Sequence, residues 1–339
     1  MSRAGDHLVI RADASPAIGV GHVMRCLALA QAWIESGGQV TFSVAELPLS
    51  LEQRFRHDEI DVAHLPNAAD EAAHLSALAR ERGAAWVVLD GYHLSADLPE
   101  AVRSAGLRVL LLDDTGDAER YAADLVLNQN IHAYEALYPR IAAHTRLLLG
   151  TNYSMLRSEF KPWRDWAREL PPKGQRLLIT MGGSDPDNVT TSVLESLQPF
   201  SNTTGVVITG AANPHAARVQ TLVQGMSGWQ LVQNASNMPK LMSEADLAIA
   251  ASGSTSWELA FMGLPAILLA LAENQRPLAT GLAARGVGIA IESVEELPHT
   301  LEKLLPDIPA RAEMSRRGRE LIDGRGAERV VAAMKGFAA

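Results

Sequence analysis

A histidine stands where a glycine-containing loop turns into a helix. Residues 19–25 read Gly-Val-Gly-His-Val-Met-Arg, between the apolar run His7–Ala12 and a helical pattern over Val23–Glu35. This position lies beyond the carboxyl end of the first expected strand, the edge at which open α/β sheets bind ligands. Histidine exchanges a proton near neutral pH, and glycine lets the backbone approach a ligand closely. We therefore predict that His22 does chemistry, with Gly21 beside the ligand.

A second loop has the character of an anion site. Residues 252–255 (Ser-Gly-Ser-Thr) follow the apolar run Leu247–Ala250 and open a helix that Gly263 closes. Backbone N–H groups at a helix N-terminus lack partners within the helix, and the helix dipole favours negative charge there. A phosphate or diphosphate is the expected guest, and Glu258, about one turn later, is placed to bind ribose hydroxyls. Simple capping of the helix by these residues is an alternative of equal weight.

Two further loops follow expected strands. Residues 182–188 (Gly-Gly-Ser-Asp-Pro-Asp-Asn) come after Arg176–Thr180, and the pair Asn274-Gln275 comes after Ala266–Leu269. Their hydroxyl, carboxylate and amide groups can bind phosphate, sugar or the N–H groups of the next helix, and a capped turn is again an equal alternative. Neither a Walker loop nor a complete dinucleotide-binding pattern is present, which argues against NAD. A sugar nucleotide held between two domains explains all of these loops together.

Short apolar runs alternate with helical patterns along most of the chain, which is typical of a parallel sheet with helices on both faces. The alternation breaks at residues 153–174, where three prolines and two tryptophans lie, and then resumes. We therefore predict an α/β protein of two doubly wound Rossmann-like domains facing across a cleft. Residues 1–155 are the expected N-terminal domain, 156–174 the linker, and 175–339 the C-terminal domain with its final helices.

The composition excludes several classes of function. A formal net charge of −9 without a sustained Lys/Arg stripe predicts no nucleic-acid partner. The single cysteine, Cys26, rules out an intrachain disulfide and a cysteine-based zinc site. We expect no signal peptide, and no apolar block reaches the roughly 20 residues that span a bilayer, so the sequence predicts a cytoplasmic protein without a membrane span. Its oligomeric state stays open between a monomer and a weak oligomer.

Together these loops resemble those of the UDP-sugar hydrolases of pseudaminic acid synthesis. The resemblance covers residues 8–290, and its combination of motifs is specific. The family has the GT-B architecture and is similar to the glycosyltransferase that builds the lipid-linked disaccharide of peptidoglycan. The matching segments are Ile10-Arg11-Ala12-Asp13, the Gly-x-Gly-His loop with Arg25, residues 182–185, residues 252–255 with Glu258, Asn274-Gln275, and Asn152-Tyr153-x-x-Leu156-Arg157-x-Glu159-Phe160.

That resemblance implies a reaction and a role for each residue. Water would replace UDP at the anomeric carbon of UDP-2,4-diacetamido-2,4,6-trideoxy-β-L-altropyranose, by C–O cleavage with inversion and without metal or cofactor. His22 matches the general base of the family, Met238 lies in the loop whose backbone faces uracil, and Glu258 matches the ribose ligand. The residues that match the diphosphate cradle are Ser252, Gly253, Ser254 and Thr255. Those expected near the sugar or phosphates are Gly21, Gly183, Ser184, Asp185, Asn188, Asn274 and Gln275.

Some residues are candidates to support this site or to compete with His22. The supporting candidates are Asp13, Arg25 and Tyr92. Asp13 follows the first strand and could orient His22 or bind sugar. Asp90 and the pair Asp113-Asp114 end two other expected strands and compete for a catalytic role, although capping of their own loops is the simpler interpretation.

Two other functions fit the same sequence. A GT-B glycosyltransferase would use the same UDP donor with a sugar or lipid acceptor, and it would differ only in what enters the N-terminal domain. A two-domain solute-binding protein would have no turnover, and the lack of an export signal weighs against it. The hydrolase is the leading hypothesis, because a helix N-terminus can stabilise the growing diphosphate charge while a neutral histidine deprotonates water.

Overall fold

The computed structural model describes residues 6–15, 18–66, 70–210 and 213–337. These residues divide into two compact units. Unit 1 contains the described residues up to Ser158 together with those from Arg325 onward, and unit 2 extends from Glu159 to Gly324. Each unit has its own sheet and its own apolar core.

Unit 1 is built on a parallel sheet, which has seven strands within the described residues. The sheet order is β3-β2-β1-β4-β5-β6-β7, and every neighbouring pair is parallel. The strands are β1 (His7–Ala12), β2 (Gln39–Val44), β3 (Asp61–His64), β4 (Ala84–Asp90), β5 (Arg108–Leu112), β6 (Leu125–Asn128) and β7 (Arg146–Leu149). The central strands are almost entirely apolar, as expected when helices cover both faces of a sheet.

Unit 2 repeats this plan with six strands among its described residues, in the order β10-β9-β8-β11-β12-β13. All of these neighbours are also parallel. The strands are β8 (Arg176–Thr180), β9 (Thr204–Thr209), β10 (Trp229–Gln233), β11 (Leu247–Ala251), β12 (Ala266–Leu269) and β13 (Ile289–Ile291). The two sheets confirm the predicted α/β class with two doubly wound domains.

Helices follow most strands in both units. The helices of unit 1 that precede Ser158 are α1 (Gly21–Glu35), α2 (Leu49–His57), α3 (Glu71–Arg82) and α4 (Leu98–Ser104). Those of unit 2 are α5 (Val189–Ser196), α6 (Ala216–Gln224), α7 (Met238–Glu244), α8 (Thr255–Phe261), α9 (Arg276–Ala284), α10 (Leu297–Leu304) and α11 (Ile308–Leu321). Short 3-10 helices lie at Glu135–Leu137, Thr151–Tyr153, Ser158–Trp163, Glu273–Gln275 and Val294–Glu296. Across the described part of the chain, no helix combines the length and the apolar character needed to cross a membrane.

Both sheets reverse their order of strand addition at a central pair. In unit 1 this pair is β1 and β4, where Ala12 is the register partner of Asp90. In unit 2 the pair is β8 and β11. The two loops that leave such a pair separate at the carboxyl edge, and doubly wound sheets bind ligands in the crevice between them. The candidate loops at residues 19–25, 182–188 and 252–255 follow strands of these two pairs, whereas Asn274-Gln275 follows β12.

The last helix, α12 (Gly326–Lys335), belongs to unit 1 and not to unit 2. Val330 and Met334 are fully buried in the same core as the inner face of α1. A Cβ on Gly326 would lie 2.1 Å from the backbone oxygen of Ser154, so α12 begins in close backbone contact that only glycine permits. The expectation that residues 175–339 form one domain therefore differs from the structure at its C-terminal end.

The expected linker at 156–174 is packed against unit 2 over most of its length. Arg168 donates to the backbone oxygens of Met262, Ala245 and Met242 at 3.1, 2.6 and 2.7 Å. Arg311, which is fully buried, donates to the backbone oxygen of Pro171 at 2.9 Å. The carbonyl groups that Arg168 binds lie at the C-terminal ends of α7 and α8, where a helix leaves its last carbonyl groups without partners. This segment is therefore part of unit 2 and does not behave as a free connector.

Candidate active site

His22 lies at the start of α1 and meets Asp90 at the end of β4. Its Nδ1 lies 2.7 Å from Asp90 Oδ1. Asp90 is fully buried, and His22 is 8% exposed. Gly19 has a φ of +81°, a left-handed conformation that glycine adopts without steric cost, so the loop can turn sharply before α1 begins. The crevice between β1 and β4 thus contains a histidine paired with a buried carboxylate.

Asp90 determines which nitrogen of His22 carries the proton. Burial alone would raise the pKa of Asp90, but the adjacent Arg25 guanidinium and His22 hold that pKa well below its usual range. A carboxylate accepts hydrogen bonds and donates none, so His22 Nδ1–H is the donor in this pair. In the neutral ring, Nε2 then has an available lone pair, and none of the described residues forms a hydrogen bond with it. This is the arrangement of a general base whose ring a carboxylate orients.

Arg25 lies on α1 one turn after His22 and joins two carboxylates. Its Nε and Nη2 donate to the two oxygens of Asp90 at 2.7 Å each, and its Nη1 donates to the two oxygens of Asp114 at 2.8 and 2.9 Å. Burial would lower the pKa of Arg25, but the two carboxylates raise it above its ordinary value. Arg25 Nη2 also lies 3.3 Å from His22 Nδ1, which is no hydrogen bond because both nitrogens are donors.

Tyr92 forms an exposed wall beside His22. Its ring meets the imidazole edge-on, with centroids 4.7 Å apart and planes at 84°. Its hydroxyl donates to Asp114 Oδ2 at 2.6 Å, while 61% of the residue stays exposed. Tyr92 therefore fixes one side of the imidazole and remains accessible to a ligand.

Asp13, the other candidate partner of His22, is engaged elsewhere. Its Oδ1 accepts the backbone N–H groups of Ala45 and Glu46 at 2.7 and 3.2 Å and lies 2.6 Å from an Arg11 nitrogen. Its Oδ2 lies 2.8 Å from His93 Nε2. These contacts tie the loop after β1 to the loop after β2. The carboxylate that orients His22 is therefore Asp90, and not Asp13.

In unit 2, backbone conformation and close approach shape the loop after β8. Gly182 has a φ of +86°. A Cβ on Gly210, which follows β9, would lie 2.2 Å from the backbone oxygen of Gly183, so the two loops touch where only glycine fits. Gly183 and Ser184 are half-buried at this edge.

Two predicted ligand-binding residues of this loop serve the local structure. Asp185 is 2% exposed, and its two oxygens accept the N–H groups of the first two residues of α5 at 2.8 and 2.9 Å. Asn188 Oδ1 accepts the Thr191 hydroxyl at 2.7 Å. A carboxylate that accepts the first N–H groups of a helix is a cap. The capping alternative thus describes both side chains as the structure has them.

Residues 252–255 connect β11 to α8. The N–H group of Ser252 donates to the backbone oxygen of Leu269 at 2.8 Å. The Ser252 hydroxyl is buried and has no hydrogen-bond partner among the residues described. Ser254 is exposed, whereas Gly253 and Thr255 are half-buried. An approaching anion would meet Ser254 and the backbone of this turn first, with Ser252 beneath them.

The remaining predicted residues of unit 2 lie on three different elements. Glu258 is half-buried in the first turn of α8. Met238 is the buried first residue of α7, directly after Asn237, whose side chain caps that helix. Asn274 is exposed, and Gln275 Oε1 accepts the N–H group of Leu271 at 3.0 Å. The pairing of β8 with β11 brings the loops 182–188 and 252–255 to neighbouring positions of one sheet edge.

Comparison with known proteins relates this chain to a domain family and to proteins of polysaccharide and sugar biosynthesis. Residues 177–329 match the glycosyltransferase family 28 C-terminal domain. The spore coat polysaccharide biosynthesis protein SpsG of Bacillus subtilis is 22% identical over 338 aligned residues, and the match covers 97% of this chain and 98% of that protein. The UDP-2,4-diacetamido-2,4,6-trideoxy-β-L-altropyranose hydrolase of Campylobacter jejuni is 26% identical over 284 residues, 82% of this chain and 97% of that protein. The predicted resemblance to the hydrolases of pseudaminic acid synthesis is confirmed.

A solved structure decides the fold. MurG of Acinetobacter baumannii matches with a TM-score of 0.66 over 97% of this chain and 99% of that chain, at 18% identity. The chain has the GT-B fold. In GT-B terms, unit 1 is the N-terminal domain completed by the last helix, and unit 2 contains the family 28 match up to Gly324.

Of the residues around His22, Arg25 and Tyr92 were predicted as supporting residues, Asp90 and Asp114 were predicted as competitors for a catalytic role, and Asn130 was not predicted. Asp90, Asp114 and Asn130 come from three different strand ends, and Asn130 Nδ2 donates to Asp114 Oδ1 at 2.7 Å. Their positions after apolar runs were the available signal, since carboxyl ends of parallel strands meet at one edge. Within the described residues, no group of three His, Cys, Asp or Glu side chains could hold a metal ion. That the reaction needs no metal stays a prediction.

Proposed function

We propose that this chain is a hydrolase of pseudaminic acid biosynthesis that releases UDP from UDP-2,4-diacetamido-2,4,6-trideoxy-β-L-altropyranose. The observation that carries the proposal is the His22–Asp90 pair, in which a buried, ionised carboxylate accepts Nδ1–H and leaves Nε2 to accept a proton. The similarity to the hydrolase of Campylobacter jejuni, over nearly the whole of that protein, supports the substrate.

In the proposed reaction, His22 Nε2 takes a proton from water while the water oxygen bonds to the anomeric carbon. The bond between that carbon and the UDP oxygen breaks, its electron pair leaves with the diphosphate, and the configuration inverts. Asp90 faces Nδ1–H throughout and stabilises the positive charge that the ring acquires. Removal of the proton from water is thus coupled to charge compensation inside unit 1.

The nucleotide is assigned to unit 2. The turn at 252–255 would receive the diphosphate, because N–H groups and the dipole at a helix start stabilise the charge that grows on a leaving group. Glu258 would bind ribose, and the backbone near Met238 would face uracil. Asn274 and Gln275 would bind sugar hydroxyls or acetamido groups through their side-chain amides. Asp185 and Asn188 would act indirectly, through the shape of the neighbouring loop.

Hydrolysis in oxygen-18 water tests substrate, reaction type and broken bond together. Mass spectrometry of the products from a panel of UDP-sugars should show one oxygen-18 atom in the released sugar and none in UDP. Proton NMR of the first product formed should show the inverted anomer. Label in the nucleotide would mean P–O cleavage, and turnover of a different sugar nucleotide would replace the proposed substrate.

The role of His22 is tested by His22→Ala beside His57→Ala, which changes an exposed histidine at the end of α2. Loss of a general base should lower kcat by about 10²–10⁴-fold. UDP affinity should stay unchanged, because the nucleotide is assigned to unit 2. Activity near that of the wild type in His22→Ala would show that another group is the base.

A glycosyltransferase is the second candidate, favoured by the family 28 match over residues 177–329. His22 would then deprotonate an acceptor hydroxyl in place of water, with the same bond broken in the donor. The two functions separate when UDP release is measured without any acceptor. If purified protein releases UDP from the sugar nucleotide only after an acceptor is added, the hydrolase proposal fails and the transferase stands.

A further inference from the structure

A single guanidinium holds the two carboxylates that surround the candidate base. Arg25 and His22 are three positions apart on α1 and so share one helix face. Arg25 occupies both oxygens of Asp90 and both oxygens of Asp114 with its three nitrogens, at 2.7 to 2.9 Å. Its side chain is only 9% exposed. Such a bidentate fork restricts the rotation of the carboxylate that it binds.

The position of the His22 ring follows from this fork. Asp90 Oδ1 accepts from Arg25 Nη2 and from His22 Nδ1, both at 2.7 Å. If Asp90 rotated, it would have to break the bond to Arg25 before it could release the imidazole. Asp114 in turn anchors Arg25, and it is itself held by Asn130 Nδ2 at 2.7 Å and the Tyr92 hydroxyl at 2.6 Å.

The charges of Asp90, Asp114 and Arg25 also bear on how His22 takes up a proton. Burial would raise the pKa of Asp114, but Arg25 and the Tyr92 hydroxyl lower it, so Asp114 stays ionised near neutral pH. Two carboxylates and one guanidinium leave one net negative charge beside a neutral His22. Proton uptake by His22 brings the charge of these four groups to zero. If Asp114 were absent, the pair of Arg25 and Asp90 would already be neutral, and the imidazolium of His22 would have no negative charge to compensate it.

We propose that Arg25 and Asp114 are positioning residues of the reaction: Arg25 fixes the carboxylate that aims His22, and Asp114 supplies the negative charge that compensates His22 when it takes a proton. This inference rests on the proposed function, in which His22 is the general base. Both residues act through other side chains, and neither is assigned a contact with substrate.

The test compares Arg25→Met, Arg25→Lys and Asp114→Asn with Arg103→Met. The control breaks another arginine–aspartate pair of unit 1, Arg103 with Asp124 at 3.0 Å, away from His22. The readouts are kcat and KM for release of UDP from the proposed sugar nucleotide, the pH profile of kcat/KM, and the melting temperature. Nitrogen-15 NMR of the His22 ring in the full-length protein reports the tautomer without any need for turnover.

The three variants separate geometry from charge. Asp114→Asn is isosteric and should lower kcat about tenfold, a part of the total worth of a general base, with KM unchanged. It should move the acid limb of the pH profile to lower pH, because imidazolium loses a negative neighbour. Arg25→Met should lower kcat about 100-fold and move that limb to higher pH. Arg25→Lys keeps the charge but not the fork, so kcat should fall while the limb stays in place.

Distinct results would overturn the inference. If the site variants keep the kcat and the acid limb of the Arg103→Met control, the network only supports the fold. If they lose melting temperature and kcat but the acid limbs do not move in opposite directions, compensation by Asp114 is wrong. An unchanged Nδ1–H tautomer with a rigid ring in Arg25→Met would refute the positioning role. Wild-type protein that releases no UDP would instead refute the proposed function, and the NMR result would still judge the geometry.

Discussion

Asp90→Asn is the substitution that separates the roles of charge and shape in the candidate site. Asp90 accepts from Arg25 at both oxygens and from His22 at Oδ1. An asparagine amide has one acceptor and one donor end. If its oxygen stays at the Oδ1 position, its NH2 group points at Arg25 Nε. If it flips, the NH2 group points at His22 Nδ1 and favours the tautomer with the proton on Nε2.

The flipped orientation lowers kcat, and both orientations lower the free energy of unfolding, so each loss can be given a magnitude. In the flipped orientation Nε2 can no longer accept a proton, and kcat should fall by about 10²–10⁴-fold, as expected when a general base is held in the wrong tautomer. In either orientation the NH2 group faces an Arg25 nitrogen, Nη2 if the amide flips and Nε if it does not, while Arg25 keeps Asp114 as its partner. Loss of one carboxylate from a buried ion pair costs about 3–5 kcal/mol of unfolding free energy. Because Arg25 keeps Asp114 as a partner, we expect a cost of about 3 kcal/mol.

Steady-state release of UDP gives kcat and KM, and urea unfolding gives the free energy of unfolding. The matched control is Asp61→Asn, which removes a carboxylate from the exposed pair of Asp61 with Arg82 at 3.1 Å. That control should stay within about 1 kcal/mol and keep full activity. A folded Asp90→Asn protein with wild-type kcat would refute the assignment of the proton to Nδ1. UDP affinity that falls in parallel with kcat would indicate general damage and not a defect of unit 1.

Three further outcomes are expected. Met334→Ala should lower the free energy of unfolding by about 2–5 kcal/mol, because a fully buried side chain leaves a cavity where α12 meets α1; an unfolding midpoint equal to that of the wild type would contradict the docking of α12. Asp90 has a pKa well below the ordinary value near 3.9, so its stabilising effect is complete above that value and is lost as the pH falls through and below it; acid titration of Asp90→Asn should show a weaker loss of stability than the wild type, and an identical loss would argue against the ion pair. Glu258→Ala should weaken UDP binding measured by calorimetry and leave unfolding of unit 1 unchanged, whereas unchanged affinity would end its ribose role.

The sequence predicts the class of fold because strand formation depends on local pattern. Arg176–Thr180 and Ala266–Leu269 are the expected strands that precede two of the candidate loops, and both are strands with those bounds. Two features required information that a local pattern does not contain. The partner of His22 lies 68 positions away at the end of another strand. The final helix has an ordinary apolar stripe, and only the three-dimensional structure shows that this stripe completes the core of unit 1.

Capping and ligand binding also use the same residue types, so the sequence could not separate them. Asp185 has the residue type and position of a phosphate or sugar ligand, yet both of its oxygens hold the start of α5. The number of acceptor sites on a side chain is fixed, and only the structure shows which of them the protein already occupies.

The position of α12 after unit 2 in the sequence affects how the protein folds during translation. Unit 1 takes α12 from beyond unit 2, so a ribosome must release all of unit 2 before the inner face of α1 is covered. Unit 2 lies within one stretch of sequence and can fold while unit 1 still exposes apolar surface at α1. During synthesis the unit that contains His22 is therefore the one whose apolar core stays incomplete longest, and a nonsense codon near residue 325 would leave unit 2 whole but remove α12 from the core of unit 1.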